Sequence, residues 1–428
     1  MSRPGQPSIL PIEHIHIPDV EVIVMPNGVP LHYLNNGKEN VVRLDVIVQA
    51  GNRTTSCSLE ADFTALLLKE GAGNMNSGQI AEIFDYYGAW IQTRTTQQCT
   101  RITLYSLTKF LEETLSVLET IIKNPTFPEK EFEILLQNRK RQFSVDMNRV
   151  QYLAGRGIVR AIFGKNHPYG RRINQEDFDT LSIAGLKNRY ADYYNSGNVK
   201  IAMFGKITDD MIKRVEICFG SSVWGKQTEN AKKAFAIQPD KEKRIMISKP
   251  DAVQSAICVG KQIITRNHPD FHALDVLNTL FGGYFGSRLM SNIRENKGYT
   301  YGIYSLITSY LDAGYLNIST QTGTEYAEAV IKEIYTEMNK LQETLIPEKE
   351  LQTARNYMMG ELVRKFDDPF SQAEIYLNLT EFGLDKNFYK QRIDTIRMVA
   401  GETLRDLAQR YFVKDDFYEI IAGNVSYC

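Results

Sequence analysis

Residues 186–207, LKNRYADYYNSGNVKIAMFGKI, align without a gap on residues 404–425, LRDLAQRYFVKDDFYEIIAGNV. Leu186, Tyr193 and Gly205 fall on Leu404, Tyr411 and Gly423, each 218 positions later, and both stretches pass from a helical pattern to an apolar strand closed by glycine. Pro128-Glu-Lys-Glu131 recurs as Pro347-Glu-Lys-Glu350 at an offset of 219. Chance supplies one four-residue match, but two features at nearly one offset and with one local pattern mark a duplicated domain, which governs how the rest of the chain is read.

The two copies are expected at about residues 20–220 and 245–428. Between them Lys226-Gln-Thr-Glu-Asn-Ala-Lys-Lys233 and Gln238-Pro-Asp-Lys-Glu-Lys-Arg244 are polar and poor in large apolar residues, as an exposed linker would be. The chain thus divides into 1–225, 226–244 and 245–428.

Within the first copy, residues 41–48 alternate as a strand, and a helix from about Leu59 to Glu70 stops at Gly71. Ser77, a good N-cap residue, opens a helix carrying Ile80, Ile83, Phe84 and Tyr87 on one face, which Gly88 ends. Residues 89–95 and 101–107 pattern as paired strands, Leu111, Leu115, Leu118 and Ile122 mark the buried stripe of the next helix, and Pro128 opens a long helix. The second copy repeats this grammar: a helix at 270–281, a Gly-Gly break, strands at 299–305 and 314–320, and helices at 325–341 and 347–364. The fold expected is α+β: two homologous α/β sandwiches, each a mixed, mostly antiparallel sheet with helices on one face, joined by the linker as a clamshell.

Composition narrows the function classes. The 428 residues, 43% hydrophobic and 24% charged, are enough for two ordinary globular domains. Fifty Lys and Arg against 51 Asp and Glu leave a net charge of -1, without the basic field that nucleic-acid or anionic-membrane binding uses. Cys57, Cys99, Cys218, Cys258 and Cys428 form neither a CxxC pair nor a dense framework, which fits a reducing compartment. Residues 1–8 have neither signal-peptide nor transit-peptide character, and no run approaches the ~20 apolar residues that cross a bilayer. The expected location is cytoplasmic, or periplasmic for a chain whose leader has been removed.

Lys249-Pro-Asp-Ala-Val-Gln-Ser255, Ala273-Leu-Asp-Val-Leu-Asn278, Phe281-Gly-Gly-Tyr-Phe-Gly-Ser-Arg-Leu289 and Asn292-Ile-Arg-Glu-Asn-Lys-Gly-Tyr-Thr-Tyr-Gly-Ile-Tyr-Ser305 form a specific combination. Supporting matches are Ala50-Gly51, Glu70-Gly71, Ser77 to Gly88, Asn124-Pro125 and Gly164-Lys-Asn-His-Pro-Tyr-Gly170. Over nearly its whole length the chain resembles the insulinase/pitrilysin-type zinc peptidases, which include the mitochondrial processing peptidase and its paired bacterial relatives.

In catalytic members the helix before that Glu-Gly pair carries an inverted zinc motif, His-x-x-Glu-His, with two imidazole ligands and a carboxylate that activates water. The matching positions here are Asp62, Ala65 and Leu66. The resemblance therefore implies that this chain has lost metal and base together. Asp62 as a lone ligand is the weaker reading; a solvated or capping carboxylate is the commoner role. A further family glutamate completes the zinc shell some 75 residues on, where residues 137–147 offer only Asp146. His14, His16, His32 and His167 are scattered, and His268 and His272, although spaced i,i+4, bracket Pro269 without the rest of a ligand set.

Arg294 and Tyr301 match the pair that catalytic complexes of the family draw from the second domain. The resemblance implies that Arg294 holds a substrate carbonyl and that the Tyr301 phenol donates to the oxyanion; the plain alternative is an arginine paired with a neighbouring carboxylate and a half-buried strand tyrosine. Gly282 and Gly283 stand where a substrate-binding loop is expected, although glycine also simply ends helices.

The resulting expectation is a non-catalytic subunit, a pseudoenzyme inactive alone. It holds no cofactor itself and pairs with a homologous zinc-bearing subunit into a heterodimeric, processing-peptidase-like metalloendopeptidase of bacterial type acting on unfolded peptides. The alternative is a non-enzymatic structural or peptide-binding protein that keeps the peptidase fold. No Gly-x-Ser-x-Gly elbow, phosphate loop or CxxC pair suggests other chemistry.

Overall fold

The structure, a computed structural model, describes residues 12, 15–55, 57, 59–228 and 234–424. The start of the chain, His14, linker residues 229–233, Val425 at the end of the repeat and Cys428 lie outside the described residues.

The first copy forms a six-stranded sheet from β1 (Glu21–Val24), β2 (Pro30–Asn35), β3 (Val41–Val48), β6 (Trp90–Thr95), β7 (Thr100–Leu107) and β8 (Val199–Gly205); β4 (Gly71–Ala72) and β5 (Met75–Asn76) make a separate two-stranded ribbon. Its order is β1-β2-β8-β3-β7-β6. The second copy forms a five-stranded sheet from β9 (Arg244–Ser248), β10 (Gln254–Ile263), β11 (Thr300–Ser309), β12 (Gly314–Gly323) and β13 (Tyr418–Gly423), in the order β11-β12-β10-β13-β9. Read from the β6 and β11 edges, the two sheets have one topology. In each, the fourth strand pairs antiparallel with the third and parallel with the fifth.

Alternation along β3 explains the layering. Val42, Leu44, Val46 and Val48 enter the core shared with helices such as Leu111–Lys123, whereas Arg43, Asp45 and Ile47 point to the opposite face. In the second copy Ile257 and Val259 of β10 enter the core that the helix Ala327–Glu343 covers with Val330, Ile331 and Ile334. Pro128 and Pro347 both stand at the N-cap of long helices, Glu129–Asp146 and Glu348–Lys365, as their shared sequence implies.

Each opposite face is covered by a helix from the other copy, a feature beyond the expected layers. The helix Val150–Phe163 of the first copy packs on β10 and β13 of the second through Ile158, Val159 and Ile162. Gly157 permits the approach, because a Cβ there would lie 2.8 Å from Ile420 Cγ2. The helix Pro369–Glu381 of the second copy covers the first sheet, bringing Ala373 and Leu377 against Leu34, Ile47, Ala202 and Phe204. These helices occupy equivalent places in the repeat, so the exchange is reciprocal.

The second contact also contains charge. Arg43 is 2% exposed and Asp45 fully buried; Arg43 donates to Asp45 Oδ2 at 2.8 Å and to Oδ1 at 2.9 Å. Glu374, on the covering helix, bonds Arg43 and accepts from Arg101 at 2.9 and 3.0 Å, while Thr103 donates to Asp45 at 2.6 Å. Buried ions persist only when paired and hydrogen-bonded in this way.

One local expectation needs correction. Ser77 is the first helical residue of Ser77–Tyr86, and Asn76 is the N-cap: its side chain accepts from the Gln79 N–H at 2.9 Å while Gln79 accepts from the Asn76 N–H at 3.0 Å. The described linker residues are exposed or half-buried, as expected of an exposed linker, and Gln238 and Asp240 donate their N–H groups to the Phe163 and Ala161 carbonyls, tying the linker along the crossing helix.

Candidate functional site

Asp62, Ala65 and Leu66 lie on the helix Glu60–Leu67. Ala65 is 1% exposed, and Asp62 and Leu66 are half-buried. Burial pushes the Asp62 carboxyl above the usual carboxylate range, while a hydrogen bond from Thr95 and the charges of Arg139 and Arg189 hold it back. Asp62 is not the cap of this helix, whose N-cap is Leu59. Arg189, on the neighbouring helix Ile183–Tyr193, is 6% exposed and donates to Ala50 O at 2.8 Å, Gly51 O at 3.2 Å and Thr54 Oγ1 at 2.9 Å, holding the adjacent loop.

Zinc does not fit these residues. It needs several convergent N, S or O donors, and the three motif positions supply one carboxylate, one methyl and one isobutyl group. Asp146 is used locally, by Arg149 and Gln142 at 3.1 Å each. The histidines are dispersed: His32 Nδ1 lies 2.6 Å from the Tyr376 hydroxyl, His167 Nδ1 accepts from the Tyr169 N–H, and His268 Nδ1 accepts from the Asp270 N–H. His16 is exposed, and His272 is buried with its ring 4.5 Å from that of Phe388. No group of three or more His, Cys, Asp and Glu able to hold a metal ion gathers among the described residues.

Arg294 and Tyr301 are carried by irregular backbone. Two π-helical turns, Thr279–Gly283 and Met290–Asn296, flank the loop between them, a rare geometry that recurs at functional sites. The second turn is anchored by Asn292, which donates to Glu333 at 2.9 Å and Glu337 at 2.8 Å. At its end Arg294 lies over the Phe285 ring at 4.6 Å, with Nη1 2.9 Å from Glu295 Oε1. That nitrogen is buried and makes no directed hydrogen bond, so the pair is close but poorly aligned.

Tyr301 follows on β11, the open edge of the second sheet, and is 96% exposed, not half-buried. The register with β12 slips between Thr300 and Ile303, placing Tyr301 in a β-bulge, a device that re-aims a side chain. Thr300 Oγ1 fixes the bulge, lying 2.7 Å from Thr320 Oγ1, donating to Gln321 O at 2.7 Å and accepting from the Gly302 N–H at 3.2 Å.

Gly282 is buried for a packing reason: a Cβ there would lie 2.7 Å from Ser305 Cβ and 2.9 Å from Ser305 N. Gly283 is partly exposed. The donors Ser305 and Asn278, joined at 2.5 and 3.0 Å, lock the same helix to β11 and were not singled out by sequence; a buried Asn beside a Gly-Gly break is the signal that could have found them.

The sequence matches the family model "Peptidase M16 inactive domain" over residues 180–358. A Bacillus subtilis relative, "Uncharacterized zinc protease YmxG", is 27% identical over 411 residues, covering 93% of this chain and 98% of its own length. A Helicobacter pylori relative, "Non-peptidase homolog YmxG", is 21% identical over 372 residues, covering 85% and 84%. In fold, the chain is similar to a peptidase M16 inactive domain from Pseudomonas fluorescens, with a TM-score of 0.82, 22% identity and coverage of 95% and 98%. It is likewise similar to a protease from Helicobacter pylori, with a TM-score of 0.85, 18% identity and coverage of 95% and 99%.

Proposed function

We propose that this chain, which matches the peptidase M16 inactive domain over residues 180–358, is the non-catalytic subunit of a two-chain zinc peptidase of that family, paired with a homologue that carries the zinc helix. The observation that carries this reading is a contrast within the chain: the zinc-motif positions supply one donor where a metal needs several, while the Tyr301 phenol stands exposed on a clamped bulge, free to serve as a donor. The partner supplies zinc and the base that activates water. This chain supplies Tyr301 to the oxyanion, Arg294 to a substrate main-chain carbonyl and the backbone beside Gly283 to the passing peptide. Gly282 supports that backbone from within.

One well-aimed donor at an oxyanion contributes ~2.7–4 kcal/mol to the barrier reduction, sufficient reason to retain Tyr301 in a chain that cleaves nothing alone. Arg294 is suited to its role because its contact with Glu295 is misaligned and exchangeable for a carbonyl. The substrate is an extended segment whose main chain adds to an open sheet edge, which gives affinity with little demand on sequence. No helix among the described residues is long and apolar enough to cross a membrane.

The test is to purify this chain and a zinc-bearing homologue from the same genome, separately and together. Peptidase activity that requires both chains is expected; activity of this chain alone, or none from any such pair, contradicts the reading. The second outcome would favour a peptide-binding protein without cleavage.

A further inference from the structure

A cleft of about 440 Å³ opens beside Asp62, walled by the crossing helix Val150–Phe163 and the loop Pro168–Ile173. Three guanidinium groups, Arg156, Arg171 and Arg172, line it, and among the described residues Asp62 is the only carboxylate that does. Its size falls in the range of small-ligand sites.

The arginines are unequally satisfied. Arg171 is held by the loop, donating to Asn52 O at 3.1 Å and Thr55 Oγ1 at 3.2 Å. Arg172 donates to the Arg171 carbonyl at 3.0 Å, and the charged and phenolic groups that face it are Arg156, Tyr152, Tyr310 and Tyr315, with no carboxylate among them. Burial and the like charge of Arg156 weaken its hold on its proton. Arg156 donates to the Asn174 side-chain carbonyl at 3.3 Å and to the Tyr152 hydroxyl at 3.5 Å, and lies over the Phe143 and Tyr152 rings. Two half-buried guanidinium groups therefore line one cleft, close enough for the charge of one to act on the other, and neither is in an ion pair with a carboxylate among the described residues. Such an arrangement is unfavourable until an anion arrives, and guanidinium matches a carboxylate in two parallel hydrogen bonds. Asp62 does not fill that place: the guanidinium groups that face it are Arg139 and Arg189, and it is not among the groups that face Arg172.

We propose that this cleft, lined by Asp62 of the three zinc-motif positions, is an anion site in which Arg156 and Arg172 bind a carboxylate of the peptide. The choice of a peptide rests on the proposed function; the choice of a carboxylate rests on the arginines. The carboxylate comes from the C-terminus of the chain or from an acidic side chain, and Tyr152 and Ile173 give the adjoining residue an apolar wall.

The test uses the full chain alone, so it needs neither zinc nor partner. A fluorescein-labelled unstructured peptide lacking Asp and Glu is prepared as the free acid and as the C-terminal amide, and a third, amidated peptide carries one internal Glu. Fluorescence anisotropy is expected to show the free acid or the Glu peptide binding about tenfold tighter than the plain amide, the one that gains identifying the source of the carboxylate. Arg156→Gln and Arg172→Gln should each bring the favoured peptide down to the affinity of the amide. If Arg172→Gln does not fold, Arg156→Gln decides. Equal affinities for all three peptides overturn the proposal, as does a preference that survives Arg156→Gln. Inorganic phosphate should compete with the favoured peptide; failure to compete also overturns it. These results are separable from the division of labour, which is read from turnover by the paired chains.

Discussion

Replacing Glu374 by glutamine asks whether the crossing helices make the two copies one cooperative unit. In the native cluster two cations, Arg43 and Arg101, face two anions, Asp45 and Glu374, so Glu374→Gln leaves an uncompensated positive charge under the helix Pro369–Glu381. Breaking a fully buried ion pair typically costs about 3–5 kcal/mol. The Glu374 side chain is 41% exposed, and solvent takes over part of its role, which reduces the expected loss to about 2 kcal/mol. With an unfolding entropy near ~0.9 kcal/mol/K for a chain of this length, Tm should fall by roughly 2 °C.

Trp90 and Trp224 both lie in the first copy, so their fluorescence reports that copy while far-ultraviolet circular dichroism reports both. The two signals should lose structure together, and both should shift in the variant. The ion pairs with Arg101 and Arg43, opposed by burial, hold the native Glu374 carboxyl below its ordinary value of 4.5. The wild-type advantage is therefore full above about pH 4.5 and disappears as pH falls through the lower native value. An unchanged Tm at neutral pH, or two separate wild-type transitions, would refute the coupling.

Gly282→Ala places a methyl against β11 and should destabilise by about 1–3 kcal/mol, read from urea unfolding as one shifted transition of both copies. Asn76→Ala removes the side-chain acceptor of the capping box and should lower stability by about 1 kcal/mol in the same assay, with Asn76→Asp largely restoring it. Burial depresses His32 and His272 to about 4 each, so NMR titration should find both rings neutral at pH 6. Their contribution to stability is complete above the ordinary value of 6.5 and is lost as pH falls towards 4.

The duplication was legible in the sequence because each copy preserves its punctuation: Pro128 and Pro347 before long helices, Gly205 and Gly423 after matching strands. The crossing helices were not, since periodicity reports that a helix has an apolar face without saying whose sheet receives it. Val150–Phe163 carries buried residues around much of its circumference, and Arg43 and Asp45 in β3 read as a solvated face until a helix from the other copy covers them. At the site, the donor types at 62, 65 and 66 could be read directly, as could the positions of Arg294 and Tyr301. The π-turns and the bulge could not, because they arise from backbone register, to which a 3.6-residue or two-residue pattern is blind. The arginine cleft likewise depends on bringing residues 62, 156 and 172 together in space.

In the proposed pair, the phenol of Tyr301 donates to the oxyanion during turnover. The most direct measurement is turnover of a reconstituted, zinc-loaded pair containing Tyr301→Phe, with assembly followed by mass photometry. A kcat about 10²–10³-fold lower, with KM and pairing intact, is the predicted result. A kcat equal to that of the unmodified pair would contradict it.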